Sequence, residues 1–124
     1  MRKIESENAP AAIGPYSQGV QAGHTLYLSG QIGINPDTGK LEGTTTAAQA
    51  EQVMRNIEAI LKEAGMSMRN VVKTTCFLTD ISTFAAFNEV YAEHFTSKPA
   101  RSCVAVSALP AGALCEIEVI ASAE

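Results

Sequence analysis

The stretch from Thr46 to Gly65 constrains the fold more than any other. Ala50, Val53, Met54, Ile57, Ile60, Leu61 and Ala64 recur at the three- and four-residue spacing of one helical face. Thr46 with Gln49 three residues on predicts a capping box, and Gly65 followed by Met66 predicts a helix stop with a hydrophobic contact beyond it. A helix with one long apolar stripe must lie on an apolar surface, and the rest of the 124 residues has to supply it. Met54 belongs to that stripe and reads as core.

The surface is written as strands. Ser17–Gln21 and Thr25–Ser29 read as a hairpin around Ala22-Gly23-His24, with Leu26 and Leu28 facing one way and Tyr27 and Ser29 the other. That strand runs into Gly30-Gln31-Ile32-Gly33, where glycine permits either a bulge or a close backbone approach. Asn35-Pro36-Asp37-Thr38-Gly39 is a turn signature, and residues 40–45 read as loop. Val71–Leu78 is a strand rich in β-branched residues, with Cys76 placed on one face with Val72 and Leu78 as a small buried hydrophobe. A second helix is predicted over Thr83–Phe95, capped by Asp80 or Ser82, with Phe84, Phe87, Tyr91 and Phe95 as its buried stripe. Pro99–Val106 and Cys115–Ser122 complete the set. In the last strand Cys115, Ile117, Val119 and Ala121 share one face, and Glu116, Glu118 and Ile120 the other. Residues 1–16, with Pro10, Gly14 and Pro15, read as an ordered lead-in without a regular element. The expected order is β-β-α-β-α-β-β in one α+β domain over residues 1–124. Two helices cover one sheet face, and the other face keeps enough apolar area to predict a homo-oligomer.

Chemistry concentrates in Lys98-Pro99-Ala100-Arg101-Ser102-Cys103-Val104. Alternation puts Arg101 and Cys103 on one face and Ser102, Val104 and Val106 on the other, so a guanidinium and a thiol share a candidate floor for a small anion. Arg101 is read either as a carboxylate clamp or as the partner of Glu116 or Glu118 in an ion pair, which a hairpin of the last two strands would allow. Cys103 is either a thiol lowered by Arg101 or a wall residue. One of the two glutamates is a candidate general base, and periodicity does not say which. Asn88 lies on the apolar stripe of the second helix, so its carboxamide needs a partner, in a neighbouring segment or at a ligand site. Tyr16 either packs beside Pro15 or lines a pocket. His94 sits favourably for the helix dipole, and His24 is a solvated turn residue.

Several functions lack their signatures. The net charge is −4 and no Lys/Arg run occurs, so a broad nucleic-acid footprint is not indicated. Three cysteines without C-x-x-C spacing argue against a disulfide framework or a zinc site, and no Gly-rich phosphate loop is present. With no signal-peptide h-region and no membrane-spanning run, a soluble cytoplasmic protein is expected.

Six motifs, in order along nearly the whole chain, carry a family resemblance. They are Asn8-Ala9-Pro10-Ala11-Ala12-Ile13-Gly14-Pro15-Tyr16-Ser17-Gln18-Gly19, Ser29-Gly30-Gln31-Ile32, Val72-Lys73-Thr74-Thr75, Phe87-Asn88-Glu89-Val90-Tyr91, Pro99-Ala100-Arg101-Ser102-Cys103-Val104 and Glu116-Ile117-Glu118. Together they resemble the RidA/YjgF family of imine deaminases. The resemblance implies a chorismate-mutase-like α+β fold, a homotrimer with sites between subunits, and no cofactor or metal. It implies hydrolysis of 2-imino acids such as 2-iminopropanoate and 2-iminobutanoate, or their enamine tautomers, to 2-oxo acids and ammonia. Arg101 would bind the substrate carboxylate and Glu116 would orient or activate water. Tyr16, Ser29, Gly30, Asn88 and Cys103 would line the pocket, with Cys103 either acting chemically or only forming wall. The pattern departs at Gly33-Ile34-Asn35-Pro36, Lys98, Ala108 and Cys115, positions that bear on pocket shape. The alternative is a non-enzymatic trimer that binds small carboxylates as a regulator. RNA cleavage, also attached to relatives, is disfavoured by the acidic charge balance.

Overall fold

In the computed structural model, which describes residues 1–124, the apolar stripe becomes the first helix of the element order β1 (Arg2–Ile4), β2 (Gly19–Ala22), β3 (Thr25–Ile32), β4 (Ile34–Asn35), β5 (Lys40–Leu41), α1 (Thr46–Glu63), β6 (Val71–Leu78), α2 (Phe84–His94), β7 (Ala100–Ala105) and β8 (Cys115–Ser122). Val53, Met54, Ile57, Ile60 and Leu61 are all fully buried. The helix starts one residue earlier than the capping box suggested. Thr45 is the N-cap, its side chain accepting the Ala48 N–H at 3.1 Å. Gln49 does something else: it donates to Gly43 O at 3.2 Å and accepts the Leu114 N–H at 2.9 Å. At the far end Gly65 adopts φ +75°, and the Met66 and Gly65 N–H groups reach Leu61 O and Lys62 O at 2.9 Å each. This is the Schellman stop that the Gly-Met pair predicts, with Met66 buried beneath it.

The main sheet has six strands in the order β1-β2-β3-β8-β6-β7, and β4–β5 form a small separate hairpin. β1 was unforeseen because three residues with only Ile4 buried carry no periodicity. The last two strands do not form a hairpin. β6 and β7, linked through α2, pair in parallel as a helical crossover requires, which gives β7 the sheet edge. β8 then inserts between β3 and β6, antiparallel to both. The buried side chains of α1 and α2 join Leu26, Leu28, Cys76, Leu78, Ile117 and Val119 in one core. Val72 does not share the face of Cys76. A bulge between Val71 and Lys73 turns Val72 outward to 50% exposure, and Thr74, Cys76 and Leu78 form the buried set. No helix is long and apolar enough to cross a membrane.

α1 also anchors the segment that follows β3. Asn56, fully buried, donates to Ile32 O at 3.1 Å and Ile34 O at 3.0 Å, and accepts from Gln52 at 2.8 Å. Gly33 lies between those carbonyls, and a Cβ there would stand 2.7 Å from Gln49 O in the helix backbone. Only glycine lets this segment run so close to α1.

Candidate active site

Arg101 lies in β7 opposite Thr74 of β6, on the face that α2 covers. Its Nη1 donates to Asn88 Oδ1 at 2.7 Å, so the carboxamide on the apolar stripe of α2 has its partner. The guanidinium carbon stands 4.6 Å from the Tyr91 ring centroid and 5.5 Å from that of Phe84. The ion pair with Glu116 or Glu118 does not form. No Lys or Arg side chain pairs with a carboxylate, and His94 Nε2 shares a hydrogen bond with Glu51 Oε1 at 2.7 Å, which gives His94 a partner beyond the helix dipole. Arg101 is therefore a half-buried cation with most of its five N–H donors uncommitted and no anion beside it. It borders a cavity of about 540 Å3 with Asn88, Tyr91, Phe95, Lys98 and Pro99. Lys98 holds φ +55°, a left-handed conformation unusual for a side-chain-bearing residue, and its N–H reaches Phe95 O at 3.1 Å as the chain turns into β7.

Cys103 shares the Arg101 face, half-buried and paired with Cys76. Burial pushes its thiol up, and the nearby guanidinium opposes this only in part. A thiol shifted in this direction does not fit the reading of Cys103 as a thiolate activated by Arg101. Burial drives Cys76 and Cys115 further, to about 12.

Glu116 belongs to the other face. It pairs across the sheet with Ile32 and Phe77 and points away from the helices. Burial raises its carboxyl pKa, and Glu118 adds to the rise. Its carboxylate lies on the backbone of Gly30, beside the β3 bulge. A Cβ at Gly30 would fall 2.9 Å from the carboxyl carbon and overlap Oε2. The close approach foreseen at this glycine is made by the protein's own carboxylate.

Gly30 also borders a cavity of about 330 Å3 with Ile13, Tyr16, Gln18, Ile32 and Pro36. Tyr16 is exposed, and its hydroxyl accepts the Ile13 N–H at 3.4 Å. Ser29 donates to Ser17 O at 2.5 Å, so its hydroxyl proton is committed to the backbone. Gln18 was not foreseen. Buried, it accepts the Ser6 N–H at 2.6 Å and donates to Pro10 O at 2.8 Å, which ties the cavity wall together. Its partners are main-chain groups, which leave no mark in a sequence.

The candidate residues thus form two groups. Arg101, Asn88 and Cys103 gather on the helix-covered face; Glu116, Gly30 and Tyr16 gather around the second cavity and the open face. Within one chain the sheet separates Arg101 from Glu116. The open face also leaves Tyr27 at 49% and Val104 at 46% exposure.

Residues 6–123 match the family model described as Endoribonuclease L-PSP. A crystal structure of a protein of unknown function of the conserved Rid protein family from Yersinia pestis is similar at TM-score 0.95 and 52% identity, over 98% of each chain. E. coli TdcF with bound serine is similar at TM-score 0.95 and 42% identity, over 100% of both chains. The human 2-iminobutanoate/2-iminopropanoate deaminase is 48% identical over 121 residues, 97% of this chain and 88% of the human protein. These matches agree with the motifs read from the sequence, and the chain belongs to the Rid family, the RidA/YjgF group that the Endoribonuclease L-PSP model describes.

Proposed function

We propose that the protein hydrolyses 2-imino acids and their enamine tautomers to 2-oxo acids and ammonia, at sites completed between copies of the chain in a homotrimer. The observation that carries this reading is Arg101, a half-buried guanidinium stacked on an aromatic ring with no acidic partner. Such a cation calls for an anionic ligand, and its planar fork matches a carboxylate. The serine bound to TdcF and the 2-imino acids in the human relative's name all carry that group. The separation of Arg101 from Glu116 by the sheet supports a site shared by two copies. The half-exposed Tyr27 and Val104 on the open face support the same assembly.

The chemistry needs little more than placement. With the carboxylate on Arg101, the imine carbon, most electrophilic when its nitrogen is protonated, is held where water can attack. Glu116 takes a proton as the water oxygen bonds to that carbon and the C=N π pair moves to nitrogen. Glu116 then passes that proton to the carbinolamine nitrogen, ammonia leaves with the C–N pair, and the hydroxyl proton goes to solvent, which leaves the 2-oxo acid and the Glu116 carboxylate. Asn88 and Cys103 wall the Arg101 half of the site; Tyr16, Ser29 and Gly30 serve the Glu116 half. No residue in this scheme forms a covalent bond to substrate.

The test is a coupled assay in which a pyridoxal-phosphate dehydratase supplies fresh imine and the protein is expected to speed 2-oxo acid formation. Binding of 2-oxobutanoate without acceleration would establish the regulatory carboxylate-binding reading instead. Light scattering should give three times the 13.1 kDa chain mass. Strongly salt-dependent RNA binding would favour a nucleic-acid role.

The raised pKa of Glu116 predicts a specific pH dependence. Water activation needs the carboxylate, so kcat/KM should fall on the acid side with a midpoint above that of an ordinary glutamate. The sign for stability is the reverse. A carboxyl whose folded pKa lies above its unfolded one favours the folded state when protonated, and that contribution is lost as pH rises through the folded pKa. Glu116→Gln should therefore remove most of the activity and flatten the acid limb of what remains, while at neutral pH it melts no lower than the parent.

A further inference from the structure

Tyr91 stands directly behind Arg101, its ring under the guanidinium and only 7% exposed. Its hydroxyl meets Thr74 Oγ1 at 2.6 Å, and Thr74, fully buried, is the residue beside Arg101 in the β6–β7 ladder. The three residues close a ring: Arg101 stacks on Tyr91, Tyr91 bonds to Thr74, and Thr74 flanks Arg101. Phe87 and Phe95 pack on Tyr91 from either side, with centroids 6.1 and 4.5 Å away.

We infer that Thr74 and Tyr91 are positioning residues for carboxylate recognition: the Thr74 hydroxyl sets the Tyr91 ring, and the ring sets the plane of the Arg101 guanidinium. An arginine side chain has several rotatable bonds, and a bidentate grip requires the plane of its fork to be fixed. Asn88 holds one nitrogen, and a single hydrogen bond leaves the fork free to turn about that contact. The ring face supplies the missing restraint. Removing one of the two hydroxyls leaves the other buried without its partner, at a cost in stability, so the positioning role is read from affinity and not from melting temperature. Burial also raises the Tyr91 pKa, which keeps the phenol in its neutral, hydrogen-bonding form.

This inference rests on Arg101 as the carboxylate clamp, and the experiment separates the two. Thr74→Val, Thr74→Ser, Tyr91→Phe, Tyr91→Leu and Arg101→Ala proteins are compared for 2-oxobutanoate affinity by calorimetry, for kcat and KM in the coupled assay, and for melting temperature. Thr74→Val and Tyr91→Phe, which keep the ring but lose its lock, should weaken 2-oxobutanoate and raise KM about threefold to tenfold, with kcat moved by less than about twofold. Thr74→Ser keeps the hydroxyl and should stay within about twofold of the parent. Tyr91→Leu, which loses the ring, should cost about tenfold to thirtyfold in affinity. Parental affinity in Thr74→Val and Tyr91→Phe, whatever their melting temperatures, overturns the inference. So does Thr74→Ser as weak as Thr74→Val. If Arg101→Ala alone loses binding, the clamp stands and the positioning role falls; if Arg101→Ala binds like the parent, the clamp itself is wrong. Should Tyr91→Leu fail to fold, the Thr74→Val and Thr74→Ser pair decides, since Val keeps the shape of the parent residue and Ser keeps its hydroxyl at the loss of one methyl.

Discussion

Arg101→Ala is expected to lower kcat/KM in the coupled assay by about a hundredfold or more. A bidentate carboxylate grip comprises two charge-assisted hydrogen bonds, each contributing about 1.5–3 kcal/mol, and each ~1.4 kcal/mol is a factor of ten in rate. Folding should tolerate the change. The guanidinium has no acidic partner to orphan, and Asn88, which it bonds, faces a cavity open to water. The melting temperature should therefore stay at or above the parent's, which separates lost chemistry from lost structure. Arg101→Lys should also be poor, because an ammonium is a point charge without a planar fork and stacks less well on Tyr91. Full activity in the alanine variant would refute the clamp.

Gly30→Ala is expected to be nearly as damaging, through the opposite half of the site. The new methyl would occupy the place of the Glu116 carboxylate, so either the β3 bulge or the acid must move. Misplacing a reacting group by about 1 Å can cost about a hundredfold, and overpacking of this kind destabilises by about 1–3 kcal/mol. The loss should fall on kcat, with 2-oxobutanoate affinity largely kept, since Arg101 is untouched. Adding Glu116→Ala to Gly30→Ala removes the obstructing carboxylate and should restore stability without restoring activity, a non-additivity that a double-mutant cycle measures. A Gly30→Ala protein with the parental kcat would show that the contact between Gly30 and Glu116 has no part in catalysis.

Local signals in the sequence carried far. The helical stripe, the bounds of β6, the Gly65-Met66 stop and the alternation of Arg101 with Ser102 all appear as the residue pattern requires, because each depends on neighbours within a turn or two. Asn88 was flagged by a local rule as well: a carboxamide on an apolar stripe must have a partner. What depends on distant pairing was hidden. Nothing in Cys115–Ser122 says that it lies between β3 and β6 rather than beside β7, and that choice decides whether Glu116 can reach Arg101. Val72 was misplaced because one bulge residue inverts the parity of a strand. Thr45 and Thr46 are equivalent as caps until backbone geometry chooses between them. Gln18 and Asn56 act on main-chain carbonyls, and Gly30 makes room for a side chain 86 positions away.

That Arg101 and Glu116 leave the sheet on opposite sides carries one consequence for genetics. In the homotrimer proposed above, each subunit would lend its cation to one crevice and its acid to the next. Arg101→Ala and Glu116→Gln chains, each inert alone, would on random co-assembly yield hybrid rings that all contain one crevice with both groups intact, so two dead parents should give living progeny.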